Sequence, residues 1–179
     1  SSPFVKETVI AIVGLGYDGY PLAVAFGQHY KTIGFDVNST RITELKQQID
    51  HTNESDVESI ENAVNLTLTN EIDAIAKANI YIVTTATPID SALKPDLTVV
   101  LKAACTVGTV LSLNDIIVLE STVFPGVTEG EFASVIEKAS GLTANIDFQL
   151  GYSPERINPG DELHRLQHIV KVVSATNPS

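Results

Sequence analysis

The chain has 179 residues, 44 % of them hydrophobic, and a formal charge of −11. That length holds one real core and leaves little room for a second domain of ordinary size. The acidic balance leaves no basic surface for nucleic acid or an anionic membrane, so small molecules or other proteins are the expected partners.

A single cysteine, Cys105, excludes an internal disulfide and a cysteine-rich metal site, which fits a reducing, cytoplasmic compartment. No signal peptide or spanning segment is expected, because the apolar run before Gly14 is too short. The N-x-S/T triplets at Asn38, Asn53 and Asn65 carry no weight without secretion. Methionine is absent and the chain opens on Ser1-Ser2, so we read it as a piece of something longer.

In chain order, Val9 to Val13 predicts a buried strand. It runs into Gly14-Leu15-Gly16-Tyr17-Asp18-Gly19 and then into a helix from Tyr20 to Phe26 with Pro21 in its first turn. Strand, glycine turn and helix in that order are what a dinucleotide site requires. Gly14 can take the angles of a tight turn, Gly16 lets the main chain approach a pyrophosphate, and Gly19 lets helix and strand pack closely. The pyrophosphate would rest on free N–H groups at the helix N-terminus. A second strand, Thr32 to Phe35, ends at Asp36, 17 residues beyond Gly19, near the spacing expected for an acid that binds the adenosine ribose. Its carboxylate favours NAD over NADP by repelling a 2′-phosphate.

Ser39 to Ile49 predicts a helix with Ile42, Leu45 and Ile49 on one face and Asn38 or Ser39 as its cap. A short helix is expected within Asp50 to Val64, with apolar spacing at Val57, Ile60 and Val64; its acids Asp50, Glu54, Asp56, Glu58 and Glu61 read as a solvated face. Leu66 to Leu68 alternates like an edge strand, and Asn70 to Ala78 reads as a short helix with Ile72 and Ile75 inward. Ile80 to Val83 is a buried strand that empties into Thr84 to Asp90. Asp96 caps a helix from about Leu97 to Leu111, in which Cys105 reads as a buried structural thiol. Ile116 to Leu119 is the next strand, and Thr128 with Glu131 matches a capping box for a helix through Lys138. Phe148 to Tyr152 and Ile169 to Val173 complete the strands. Strand and helix alternate throughout, which predicts an α/β, Rossmann-like, doubly wound and mostly parallel sheet with helices on both faces. Ligands of such a sheet gather at the carboxyl ends of its strands. His164 and His168 lie four apart, but no third ligand is apparent and no metal is expected.

Three loops together resemble the N-terminal half of the UDP-sugar 6-dehydrogenases, over nearly the whole chain. They are Gly14-Leu15-Gly16-Tyr17-Asp18-Gly19-Tyr20-Pro21-Leu22-Ala23, Ser121-Thr122-Val123-Phe124-Pro125-Gly126-Val127-Thr128 and Ser153-Pro154-Glu155-Arg156-Ile157-Asn158-Pro159-Gly160. The Pro-Glu-Arg form of the third resembles the branch that oxidises UDP-N-acetylhexosamines for bacterial surface polysaccharides more than the UDP-glucose branch. The resemblance implies two hydride transfers from the sugar C6 to NAD, with a cysteine holding the carbon as a thiohemiacetal and then a thioester. It also implies that this cysteine sits in a later domain, that the full-length protein is a homodimer, and that Cys105 is no substitute.

Carried over by position, the cofactor residues would be Gly14, Gly16, Tyr17, Asp18, Gly19, Asp36, Arg41, Thr87 and Thr122. Thr122 and Glu155 would place the hydrolytic water, with Glu155 as general base. Glu155, Arg156 and Asn158 would face the UDP-sugar; Arg156 could equally pair with an acid at a domain boundary. Two positions depart from the family. Asp18 puts a carboxylate where a small apolar residue is usual, and Thr85-Ala86 stands for a frequent Val-Pro. Competing readings are a UDP-glucose 6-dehydrogenase, a methyltransferase using S-adenosylmethionine, whose glycines are usually closer together, and a non-catalytic dinucleotide-binding domain.

Overall fold

The computed structural model describes residues 7–16, 18–47, 57–85, 92–93, 96–120, 127–153 and 164. In chain order the elements are β1 (Val9–Val13), α1 (Gly19–Gly27), β2 (Lys31–Phe35), α2 (Ser39–Lys46), α3 (Val57–Asn62), β3 (Leu66–Thr69), α4 (Ile72–Ile75), β4 (Ile80–Val83), α5 (Thr98–Val110), β5 (Ile116–Glu120), α6 (Val127–Ser140) and β6 (Gln149–Ser153). The six strands form one sheet in the order β3-β2-β1-β4-β5-β6, and every pairing is parallel. The doubly wound sheet expected from the alternation of elements is therefore present. The chain leaves β1 toward β2 on one side and later returns to β4 on the other, so the crevice in which such sheets bind their ligands is expected at the carboxyl ends of β1 and β4.

Alternation along the strands divides the core into two layers. On one face Ile10, Ile12, Ile80, Ile82, Ile116 and Val118 pack under Leu22, Ala23 and Phe26 of α1 and Ile42 and Leu45 of α2. On the other, Ala11, Val13, Phe35, Tyr81, Val83 and Leu119 meet Val100, Ala104 and Val107 of α5 and Phe132 and Ile136 of α6. All five residues of β1 are buried, as a central parallel strand covered on both faces must be.

Several expectations need correction. Cys105 is exposed: the inward stripe of α5 is Val100, Ala103, Ala104, Val107 and Gly108, and at 100° per residue Cys105 turns away from it. Ile75 is buried in α4, but Ile72 is 42 % exposed because a single turn presents one inward position. Val57 and Val64 are exposed, leaving Ile60 as the residue of that spacing packed on the core. α6 includes Val127, so Thr128 lies inside the first turn and not at the cap. Asp96 does accept the Thr98 N–H at 3.0 Å, although the helix begins one residue later than expected. Ile49, the acids Asp50, Glu54 and Asp56, and the strand Ile169 to Val173 lie outside the described residues.

Two tyrosines tie helices to the sheet. The Tyr81 hydroxyl donates to Ile75 O at 2.8 Å, and the Tyr152 hydroxyl to Glu129 O at 3.1 Å. Burial, and secondarily Asp115, pushes the Tyr81 phenol well above its ordinary value; burial, with Glu129 second, pushes Tyr152 up to about 12. A raised phenol pKa stabilises the fold fully below the unfolded value near 10, and that contribution is lost as pH rises toward the folded value. Melting temperature should therefore be insensitive to these groups up to about pH 9 and fall above about pH 10. Tyr81→Phe combined with Tyr152→Phe should flatten that fall in melts taken between pH 8 and 11.

Candidate functional site

The glycine turn sits at the carboxyl end of β1, and contacts from β2, β4 and α2 fix its shape. Gly14 has φ +105°, which L side chains rarely adopt, and its N–H donates to Phe35 O at 2.8 Å. A Cβ on Gly19 would lie 1.8 Å from Gly14 O and 2.5 Å from Thr84 Oγ1, so helix and turn touch main chain to main chain. Thr84, the first residue beyond β4, donates from Oγ1 to Gly14 O at 2.7 Å and latches the turn to the neighbouring strand. Gly16 differs from the other two glycines: among the described residues, a Cβ there would meet nothing within 4 Å. Asp18 occupies the N-cap position of α1 with an exposed side chain and does not cap the helix with it.

Asp36 leaves the end of β2 and faces the same turn. One carboxylate oxygen accepts the Leu15 N–H at 2.9 Å and the other accepts the Asn38 N–H at 2.9 Å. Each oxygen has a further lone pair, so the carboxylate can shape the turn and still accept hydroxyl groups from a ribose. Asn38 caps α2 by accepting from Thr40 N and Arg41 N at 3.0 and 3.2 Å. Capping by Asn38 orients the first turn of α2 so that Arg41 Nε donates to Leu15 O at 2.8 Å, with its guanidinium 5.8 Å from the Tyr20 ring centre. Leu15 thus has its N–H held by Asp36, its carbonyl held by Arg41 and its side chain fully buried. It anchors the turn between the two glycines.

The structure brings Gly14, Gly16, Asp18, Gly19, Asp36 and Arg41 to one edge of the sheet. Tyr17, Thr87, Thr122, Glu155, Arg156, Asn158 and His168 lie outside the described residues. Among the described residues no cluster of three potential metal ligands occurs, and no helix is long and apolar enough to cross a membrane. Thr84 and Leu15 were not singled out from the sequence; the available signal was a hydroxyl residue directly after the strand that neighbours the glycine turn. A dinucleotide suits what is present. Gly16 opens beside the N-terminus of α1, where N–H groups and the helix dipole favour a diphosphate, and Asp36 stands where the adenosine ribose would reach. In addition, Thr85 Oγ1 is buried beside the turn with no hydrogen-bond partner among the described residues.

Comparison with known proteins agrees with this geometry. The family described as "UDP-glucose/GDP-mannose dehydrogenase family, NAD binding domain" matches residues 8–179. The chain belongs to that family. Among curated relatives, a UDP-N-acetyl-D-glucosamine 6-dehydrogenase of Pseudomonas aeruginosa is 49 % identical over 174 residues, covering 97 % of this chain and 41 % of its own. A protein of the same name from Salmonella typhi is 51 % identical over 172 residues, covering 96 % and 40 %. Among solved structures, the UDP-D-ManNAc dehydrogenase of Pyrococcus horikoshii superposes with a TM-score of 0.75 at 30 % identity, over 89 % of this chain and 39 % of that one. The chain thus spans about two fifths of the length of the relatives it matches.

For an NAD binding domain, an exposed carboxylate at the N-cap of α1 is an unfavourable neighbour for a diphosphate. Asp18→Val should tighten NAD binding by about threefold at low ionic strength, a gain that fades as salt screens the repulsion. Calorimetric titration at two salt concentrations measures it. Unchanged affinity at low salt would show that the charge does not matter.

Proposed function

We propose that the chain is the NAD-binding half of a UDP-sugar 6-dehydrogenase that oxidises a UDP-N-acetylhexosamine to the uronic acid in two steps, for surface polysaccharide synthesis. The observation that carries this reading is the half-identity, over nearly the whole chain, to two UDP-N-acetyl-D-glucosamine 6-dehydrogenases, which favours the N-acetylglucosamine isomer. NAD supplies the hydride acceptor. This chain's residues bind and orient it: the turn around Gly16 receives the diphosphate, and Asp36 the adenosine ribose, with Arg41 beside it. Tyr17, Thr87 and Thr122 complete the cofactor contacts. Glu155 activates the water that Thr122 helps place, and Arg156 and Asn158 face the nucleotide sugar. Cys105, on the outward side of α5, plays no part as nucleophile. The natural enzyme is a cytoplasmic homodimer whose sugar-binding domain and nucleophilic cysteine lie outside these 179 residues.

Full-length enzyme should yield two NADH per UDP-N-acetylglucosamine consumed, and the 179 residues alone should bind NAD without reducing it. A ratio of one NADH per sugar would reject the four-electron reaction. NAD reduction by the isolated 179 residues would reject the division of labour.

A further inference from the structure

Thr85 lies two residues beyond β4, at the crevice between β1 and β4, and packs directly on the glycine turn: its Cγ2 is 3.0 Å from where a Cβ on Gly14 would stand. Its hydroxyl is shut off from water and, among the described residues, has no hydrogen-bond partner. An unsatisfied buried hydroxyl is a standing cost, because it gives up water and gains nothing in return. The adjacent Thr84 shows what the local backbone offers. Thr84 Oγ1 already takes Gly14 O at 2.7 Å and lies 3.3 Å from Val13 O, so the carbonyls at this end of β1 are engaged by Thr84. Valine would fill the space at position 85 without the polar atom, and a methyl already occupies the side facing Gly14. Threonine has three staggered positions about χ1, one of which exchanges Oγ1 with Cγ2 and turns the hydroxyl onto the glycine turn.

We propose that the Thr85 hydroxyl is a binding group for the diphosphate-ribose stretch of the dinucleotide, satisfied when the cofactor occupies the crevice between β1 and β4. The inference rests on the NAD reading above. It adds a side-chain contact from the β4 side to a turn otherwise described by its glycines, and it makes the cost of the unpaired hydroxyl in the free protein part of the energetics of binding.

The test is calorimetric titration of the natural chain and its Thr85→Val and Thr85→Ser variants with NAD, ADP-ribose and AMP, together with melting temperatures without ligand. Thr85→Val should weaken NAD and ADP-ribose by about fivefold to tenfold, the loss of one hydrogen bond, and leave AMP, which lacks the diphosphate, unchanged. The same variant should melt about 2–4 °C higher without ligand, since it removes the unpaired group. Thr85→Ser keeps the hydroxyl and should bind NAD like the natural chain. The inference is overturned by a loss under about threefold for Thr85→Val, by an equal loss for AMP, by an equal loss for Thr85→Ser, or by a fall in melting temperature, which would reveal a partner in the free protein. If the unsubstituted chain binds no NAD, the NAD reading itself fails, and this one with it.

Discussion

Gly19→Ala is expected to cost about 3 kcal/mol or more and to lower the melting temperature by about 10 °C, while Gly16→Ala leaves it within about 1 °C. The two substitutions add the same methyl group to the same turn. At position 19 the methyl would stand 1.8 Å from the Gly14 carbonyl oxygen, and no side-chain rotation relieves a backbone clash. Relief requires α1 to move away from β1, which uncovers Leu22, Ala23 and Phe26 where they pack on Ile10 and Ile12. At position 16 the methyl meets nothing within 4 Å among the described residues, so the free protein should not register it. The ligand should: the new methyl stands in the space left for the diphosphate, and NAD affinity should fall at least about tenfold. Melting curves and NAD titrations of both variants measure the pair. A stable Gly16→Ala protein that binds NAD normally would mean that the diphosphate lies elsewhere.

Asp36→Ala should lose both stability and affinity. Its carboxylate accepts from the N–H groups of Leu15 and Asn38, both at 2.9 Å, and charge-assisted bonds of this kind contribute more than neutral ones. Removal leaves the turn unanchored on the β2 side, at a cost of about 2–3 kcal/mol measured by urea unfolding. NAD affinity should fall about tenfold or more, because the ribose loses its acceptor and the turn its shape. NADP should lose less or gain, since the charge that repels a 2′-phosphate is gone while Arg41 remains close by. Asp36→Asn, which keeps one carbonyl acceptor, should fall between the two. An Asp36→Ala protein with the natural ratio of NAD to NADP affinity would remove Asp36 from cofactor recognition.

The sheet was legible because its strands are short, apolar and separated by helical spacing, and burial on both faces demands that pattern. The tight turn at Gly14 and the close helix packing at Gly19 could be read as well, since each follows from the absence of a Cβ at a stated place in a strand-turn-helix. What escaped was whatever depends on direction. Cys105 sits among apolar neighbours in the sequence, yet the small residues Ala103, Ala104 and Gly108 carry the inward face of α5 and turn it outward. Ile72 and Val57 lie in helices too short to impose a period. The latch from Thr84 joins residues 70 positions apart and the double hold on Leu15 joins residues 21 and 26 apart, and local spacing cannot reveal such contacts. Asn38 and Ser39 were equivalent candidates for the cap of α2; the two bonds to Asn38 Oδ1 decide for Asn38.

Crystals of the chain soaked in NAD test the central claim most directly. Diphosphate density over the Gly16 main chain at the N-terminus of α1, with a ribose hydroxyl on the Asp36 carboxylate, is the expected result. Cofactor density away from the β1–β4 crevice, or none at millimolar NAD in crystals whose crevice is open to solvent, would contradict it.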